Sequence, residues 1–467
     1  MSLQGSESED EFFDTVQNPN ELQDGGDQTD EYWLQSSSTD EQSIQTLQLI
    51  DSVPVEPNSC VSAADQELAA CSIRKRKRRS IIPAKPASSS VLWALLKNCV
   101  GKDLSRIAMP VNFNEPLSML QRLCEDFEYS SLLDTAAELE DSTEQMCYVA
   151  AFAMTAWTAS STRANKPFNP LLGETYECDR RDDFGWRIFG EQVSHHPPVC
   201  ALHVEGEKWT CAEDFGYQSK FRGSNMKLFC DPGNTHLTLT DSNGITSDYV
   251  WQKCTIKTNI HGIIIGPIWL DHHGEMWITN HQTGDKCKLK FYGYSYWSKA
   301  NHEPREIVCN VQDAEGMVRW KMTGTWDQHV DVAKMAADGK TVEFTKRIWT
   351  ANQPYFNEEG DKYYNFTKLA IELNEMEEAI APTDSRLRPD QRLMEQARWD
   401  DANAEKVRLE ENQRARARIL KEKNETHQAV WFSKSSDPST NTTMWRLTRN
   451  YWQSKSERDF QMCPDIF

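Results

Sequence analysis

Arg187-Ile188-Phe189-Gly190-Glu191-Gln192-Val193-Ser194-His195-His196-Pro197-Pro198 opens as an apolar strand pattern and closes on two adjacent imidazoles followed by two prolines. Proline lacks an N–H and holds the residue before it extended, so a strand reaching this point must stop at an edge or a rim. On a regular strand His195 and His196 would point to opposite faces; at a strand end both rings can converge on one ligand. Two imidazoles at a rim suit an anion, a metal or a proton transfer. The residues alone leave these three open.

Outward from this stretch, short strands are expected at Leu202 to Val204, Met226 to Phe229, Leu237 to Leu239, Tyr249 to Ile256, Ile260 to Ile265, Met276 to Thr279, Lys286 to Phe291, Ile307 to Val311 and Val318 to Met322. Turn signals such as Asp231-Pro232-Gly233-Asn234, Asp241-Ser242-Asn243-Gly244, His273-Gly274 and Glu315-Gly316 separate them. So many strands at hairpin spacing predict a large antiparallel sheet, and closing it into a barrel would remove exposed edges. The aromatic content predicts a wide barrel lined by large apolar side chains, able to hold a small apolar ligand.

Helical pattern lies on both sides, which makes the fold class α+β, mainly β. Residues 91–467 read as one globular domain. Its first segment, with Leu92, Trp93, Leu95, Leu96 and Cys99 at helical spacing and Gly101 behind them, is a short amphipathic helix serving as core or as a mobile cover. Leu120, Leu123, Leu132 and Leu133 continue a helical subdomain, and Cys147 to Trp157 is a more apolar helix. Asn165-Lys166-Pro167-Phe168-Asn169-Pro170-Leu171-Leu172-Gly173-Glu174 reads as a loop. After Tyr364 the chain is helical again, with a charged helix from about Asp401 to Lys423. On it Lys406, Glu410 and Arg414 stand at i, i+4 and i+8, either a salt-bridge ladder on a solvated helix or a charged stripe along one face. Trp431 to Phe467, with Trp445, Tyr451 and Trp452, is expected to pack on the barrel.

Residues 1 to about 90 are rich in Ser, Asp, Glu, Gln, Thr and Asn and predict a disordered acidic tail. Within it Glu11-Phe12-Phe13-Asp14 sets two phenylalanines in an acidic run, as a short motif docking on a basic partner would. Arg74-Lys75-Arg76-Lys77-Arg78-Arg79-Ser80 is a basic run that reads as a solvated linker, a nuclear-import signal or a patch drawn to anionic membrane.

Composition narrows the function classes. A formal net charge of −20 over 467 residues disfavours nonspecific binding to nucleic acid or to an anionic bilayer, so phosphate must be met by a local basic pocket. The 13 cysteines include no Cys-x-x-Cys pair and no signal peptide is evident, which suggests a reducing compartment and neither a disulfide framework nor a zinc ribbon. No apolar run approaches the roughly 20 residues of a membrane span, so membrane contact is expected to be peripheral. A hydrolase using a metal on His195, His196, His272 or His273 lacks the support of a His-Glu-x-x-His motif or a carboxylate pair. No catalytic residue, metal or cofactor is expected.

Glu191-Gln192-Val193-Ser194-His195-His196-Pro197-Pro198, together with Lys166 to Glu174 and Asn114-Glu115-Pro116-Leu117-Ser118, resembles the lipid-binding domain of the oxysterol-binding protein family. The resemblance runs from about Trp93 to the terminal Cys463-Pro464-Asp465-Ile466-Phe467. It implies a near-complete antiparallel barrel around a tunnel for one sterol, closed by a lid on which Leu92, Trp93, Leu95 and Leu96 would lie. It also implies a rim site for the headgroup of phosphatidylinositol 4-phosphate, held by Lys166, Asn169, His195, His196, Lys406, Glu410 and Arg414, with bound phosphate raising the histidine pKa values.

The function implied is a carrier, not an enzyme, that exchanges sterol for the phosphoinositide between the endoplasmic reticulum and another membrane. A sterol-responsive scaffold that moves no lipid is the alternative. Glu11, Phe12, Phe13 and Asp14 resemble the motif by which the family docks to VAMP-associated proteins, with Thr15 and Gln17 in place of its usual Ala and Glu. This implies a cytosolic protein at the endoplasmic reticulum and at membrane contact sites, with a nuclear fraction if the basic run acts in import. The first 90 residues lack the pattern of a pleckstrin-homology domain, so the chain looks like a short form.

Overall fold

The computed structural model describes residues 76–86, 110–221, 226–262, 267–294, 304–437 and 442–467. The expected lid at Leu92 to Leu96 and the docking motif at Glu11 to Asp14 lie outside them.

Strand β1 (Asn114–Ser118) leads into helix α1 (Met119–Cys124) through a capping box. The Ser118 hydroxyl accepts from the Gln121 N–H while the Gln121 side chain accepts from the Ser118 N–H, which satisfies two donors that a helix start leaves open. Helix α2 (Ser131–Ala137) and helix α3 (Ser142–Thr155) complete the helical subdomain. Asp141 caps α3 by accepting from the Thr143 and Glu144 N–H groups. From Met146 to Met154 all but Tyr148 are buried, so α3 is wrapped on every side, as its apolar pattern predicts.

Strand β2 (Lys166–Phe168) pairs in parallel with β1, Asn114 facing Lys166 and Ser118 facing Phe168. This corrects the reading of 165–174 as loop throughout: Pro167 sits on a short two-stranded edge, where its missing donor is tolerated.

The main sheet has thirteen antiparallel strands. They are β3 (Thr175–Arg180), β4 (Trp186–His195), β5 (Pro198–Glu205), β6 (Trp209–Phe221), β7 (Met226–Thr240), β8 (Thr246–Gln252), β9 (Ile256–His261), β10 (Trp269–Asn280), β11 (Lys286–Phe291), β12 (Glu306–Gln312), β13 (Val318–Thr325), β14 (His329–Met335) and β15 (Val342–Thr350). The order runs from β3 to β15, with β9 branching between β7 and β10. Helix α1 packs on β3 and β4, α2 on β6 and β7, and α3 on β11, β12, β13 and β15. One helical subdomain therefore touches strands from both ends of the sheet, so the sheet curls around it. The ladder does not join β3 to β15 among the described residues.

Burial alternates along the strands as a half-buried sheet requires, for instance with Ile307, Cys309 and Val311 inward on β12. Phe127 from the helical side stacks on Trp209 at 5.9 Å, and Trp186, Trp251, Trp320 and Trp326 are fully buried in the same core.

The strand readings are corrected at several points: β3, β14 and β15 were not expected, and His273-Gly274, expected as a turn, lies inside β10 and pairs with β9. Trp209–Phe221 is a long strand without a strict alternating pattern and was not expected. The two strands expected at Met226 and Leu237 are one, β7, because Asp231-Pro232 is not a turn: Phe215 faces Gly233 and Tyr217 faces Cys230, leaving a bulge. Tyr249 to Ile256 is broken by a 3-10 turn at Lys253–Thr255, where the buried Lys253 ammonium pairs with Asp126 and Glu213.

Beyond the sheet come α4 (Lys368–Glu372), α5 (Pro389–Glu395), α6 (Trp399–Glu422), the hairpin β16 (Phe432–Asp437) and β17 (Thr442–Leu447), and α7 (Tyr451–Glu457). Trp431, Phe432 and Tyr451 pack on Phe189, Val193, Val199 and Ala201 of β4 and β5, which places the C-terminal segment on the sheet as expected. Residues 76–86 are not a solvated linker. Arg76, Arg78 and Arg79 pair with Asp182, Glu375, Glu377 and Glu395, and Ile82 is buried in the main core.

Candidate functional site at the β4–β5 turn

Strand β4 ends where the sequence requires. His195 faces Pro198 across a two-residue His196-Pro197 turn whose peptide bond is cis. Between Gln192 and Ser194 the register shifts, so Val193 is the extra residue of a bulge and ordinary alternation is lost at the strand tip. The two rings consequently lie side by side, centroids 4.8 Å apart and edge to face. His195 is half-buried and His196 exposed.

The proline-rich segment is drawn against this tip by the backbone. The Gly173 N–H donates to the Gln192 carbonyl at 2.9 Å and the Gln192 N–H to the Glu174 carbonyl at 2.8 Å. Gly173 takes φ +83°, and a Cβ there would stand 3.3 Å from Pro464, so a larger residue would meet both backbone strain and the C-terminal segment. Glu174 is buried, accepts from the Leu171 N–H and the Ser385 hydroxyl, and pairs with Arg388. Arg388 in turn donates to the Asn169 carbonyl at 2.8 Å. Lys166 lies at the start of β2, its carbonyl accepting from Asn114.

Helix α6 closes the third side. Ala402, Lys406 and Leu409 are buried and Gln413 and Arg416 half-buried, an i, i+4, i+7, i+11, i+14 stripe facing the domain. Leu409 packs with Leu171 and Ile466. Gln413 joins all three parts: its Oε1 accepts from the Leu172 N–H at 2.8 Å, and its Nε2 lies 2.5 Å from His195 Nε2. Sequence reasoning missed Gln413 and Arg388; Gln413 was legible as the continuation of the Ala402, Lys406, Leu409 stripe.

The Lys406, Glu410, Arg414 series advances 40° per step and leaves that stripe. Lys406 is buried and 2.5 Å from Glu410, whereas the Arg414 side chain is 51% exposed, 3.6 Å from Glu410 and also paired with Glu411. The trio thus forms the ladder of i, i+4 ion pairs that its spacing predicts along one face, running from the interior to solvent. Burial, then the neighbouring His196, holds the His195 pKa down at about 4, with Arg388 and Arg414 adding to the effect and the Pro170 carbonyl opposing it. In the ligand-free protein His195 is neutral at physiological pH.

Other residues of the Glu191 to Pro198 stretch are structural. Glu191 is buried and accepts from the Val430 and Trp431 N–H groups at 2.8 and 2.9 Å, which pins β4 to the C-terminal segment. His272 is a core histidine bonded to Thr258 and Ser160, and no group of three or more His, Cys, Asp or Glu side chains among the described residues is placed to hold a metal. A cavity of about 490 Å³ lies among Arg122, Glu128, Arg163, Arg305 and Asp327; its charged lining is unlike a sterol tunnel.

Residues 91–456 match the family described as oxysterol-binding protein. The chain belongs to the oxysterol-binding protein family. It is 44% identical to oxysterol-binding protein 2 of Mus musculus over 416 residues, covering 84% of this chain and 45% of that protein. It is 42% identical to oxysterol-binding protein-related protein 3 of Homo sapiens, covering 82% and 42%. The chain thus spans less than half the length of these family members. Among solved structures, the Osh1 ORD domain in complex with cholesterol superposes with TM-score 0.76 at 36% identity, covering 86% of this chain and 98% of that one. The Osh3 ORD in complex with PI(4)P from Saccharomyces cerevisiae superposes with TM-score 0.70 at 31% identity, covering 84% and 99%.

Proposed function

We propose that this chain binds one sterol within the curled sheet and exchanges it for phosphatidylinositol 4-phosphate, whose headgroup docks at the β4–β5 turn. The observation that carries the proposal is the junction of His195 and His196 with the Lys166–Glu174 segment and helix α6, which brings Lys406 and Arg414, in a fold whose solved relatives hold cholesterol and PI(4)P. A phosphomonoester of up to two charges favours a cluster of Lys, Arg and protonated His. Lys166, Asn169, His195, His196, Lys406 and Arg414 would supply cations and donors, and Glu410 would accept from inositol hydroxyls while holding Lys406.

For the sterol, burying ~400 Å² at about 25 cal/mol per Å² is worth ~10 kcal/mol gross. Leaving a bilayer forfeits a similar amount, so the net preference stays small, as a carrier needs. Leu92, Trp93, Leu95 and Leu96 would form the cover. Phe12 and Phe13, with Glu11 and Asp14, would dock the chain to VAMP-associated proteins at the endoplasmic reticulum.

Displacement tests the shared-site reading. A fluorescent sterol bound to the purified chain should be released stoichiometrically by vesicles containing phosphatidylinositol 4-phosphate and retained with vesicles containing phosphatidylinositol. Equal retention with both would overturn it.

A further inference from the structure

The basic run is folded down onto an acidic seam. The Arg76 N–H donates to Asp182 and its guanidinium pairs with Glu377. Arg78, its side chain only 9% exposed, reaches Asp182 at 2.9 Å and Glu375 at 3.6 Å. Arg79 forks onto both oxygens of Glu395, at 2.7 and 3.1 Å, while its backbone N–H donates to Glu375. Downstream, Ile82 is buried in the main core, the Lys85 N–H donates to the Lys362 carbonyl at 2.8 Å, and the Lys85 ammonium meets Asp361. The segment is neither helix nor strand. It forms a strap tying the β3–β4 turn to the segment from Glu375 to Glu395.

Between the two anchors, Ser80 and Ile81 are exposed, Ile81 at 79%. Ser80 thus presents an exposed hydroxyl outside helix and strand, behind Arg76, Lys77, Arg78 and Arg79 and ahead of an exposed apolar residue. A protein kinase whose peptide cleft is acidic, with an apolar subsite after the acceptor, matches that pattern in charge and in the apolar residue that follows.

We propose that Ser80 is an acceptor for an ATP-dependent basophilic serine kinase, and that its phosphorylation unlatches the strap from the acidic seam. The Ser80 oxygen attacks the γ-phosphorus of ATP and the bond to the bridging oxygen breaks. ADP leaves with that electron pair, and the hydroxyl proton passes to the kinase's catalytic carboxylate. The product sets a charge of about −1.5 to −2 one residue from Arg79. Glu375 already sits on the Arg79 amide, well inside the ~8 Å screening length at physiological salt, so the phosphate is repelled by the seam. It also competes with Glu395 for the Arg79 guanidinium. Both effects weaken the latch at its best-formed ion pair. The strap lies apart from the lipid reading and stands or falls without it.

The test treats the full chain with a basophilic kinase and Mg-ATP, locates phosphate by fragmentation mass spectrometry, and follows amide exchange. One phosphate on Ser80, absent from Ser80→Ala, is expected. It should enter at least threefold faster when the seam is neutralised by Glu375→Gln with Glu395→Gln. In the phosphorylated chain the Lys85 amide should exchange at least tenfold faster, with β4 unchanged. Phosphate that enters only the seam variant, or none at all, would overturn the proposal. So would a phosphorylated chain whose Lys85 amide exchanges at the unmodified rate.

Discussion

Gln413 Nε2 lies 2.5 Å from His195 Nε2, so a neutral amide on α6 holds the imidazole at the tip of β4. The same side chain accepts from the Leu172 N–H, which makes Gln413 the joint between helix, turn and proline-rich segment. Gln413→Leu keeps the volume and removes both bonds. At about 1 kcal/mol per hydrogen bond, it should weaken binding of a phosphatidylinositol 4-phosphate vesicle about tenfold or more and leave sterol affinity within a factor of two. Co-sedimentation and sterol fluorescence would show this.

The pH dependence of His195 has a definite sign. Its folded pKa of about 4 lies below the ordinary 6.5, so the neutral form is favoured by folding. That contribution is complete above pH 6.5 and is lost as pH falls toward 4. A bound phosphate reverses the preference, raises the pKa and makes headgroup affinity fall as pH rises through the new value. Proton NMR of the ring should show a midpoint near 4 in the free protein and an upward move on adding inositol 4-phosphate. An unmoved midpoint would argue that no phosphate reaches the ring.

Glu191→Ala leaves the Val430 and Trp431 N–H groups without their acceptor, and the Trp431 side chain with them is fully buried. Two unsatisfied donors cost about 2–4 kcal/mol. Urea melts at pH 5 should show that loss. Burial raises the Glu191 pKa to about 7, so its contribution is full below 4.5 and declines as pH rises to 7; the gap between variant and wild type should narrow over that range.

Removing Cys463 to Phe467 strips Ile466 from Leu171 and Leu409, Pro464 from Gly173, and two carbonyls from the Arg416 guanidinium. Helix α6 then loses its apolar clasp to the site. Headgroup binding should drop at least fivefold while the thermal transition of the sheet moves by only a few degrees, as calorimetry would record.

Much of this was legible in the sequence because the controlling features are local. The two prolines after His195 fix the strand end, and the capping residues Ser118 and Asp141 fix helix starts. The strands β11 to β13 were readable from alternation. What failed depended on distant partners. Asp231-Pro232 has turn chemistry but sits in a bulge because β6 supplies the opposing ladder, and Lys166–Phe168 becomes a strand only because β1 lies beside it. At the site, charge drew attention to Lys406, Glu410 and Arg414, of which only Lys406 lies on the inward face of α6 with Ala402, Leu409 and Gln413. The basic run Arg76 to Arg79 looked solvated because its carboxylate partners lie about 100 to 300 residues away in sequence.

Sterol transfer between two liposome populations is the most direct test of the central claim. It is measured with and without phosphatidylinositol 4-phosphate in the acceptor, for the wild type and for His195→Ala with His196→Ala. The account predicts that the phosphoinositide accelerates wild-type transfer and that the double variant binds sterol but loses the acceleration. Wild-type protein that binds sterol yet moves it no faster than its spontaneous exchange would contradict the account and leave a sterol-responsive scaffold in its place.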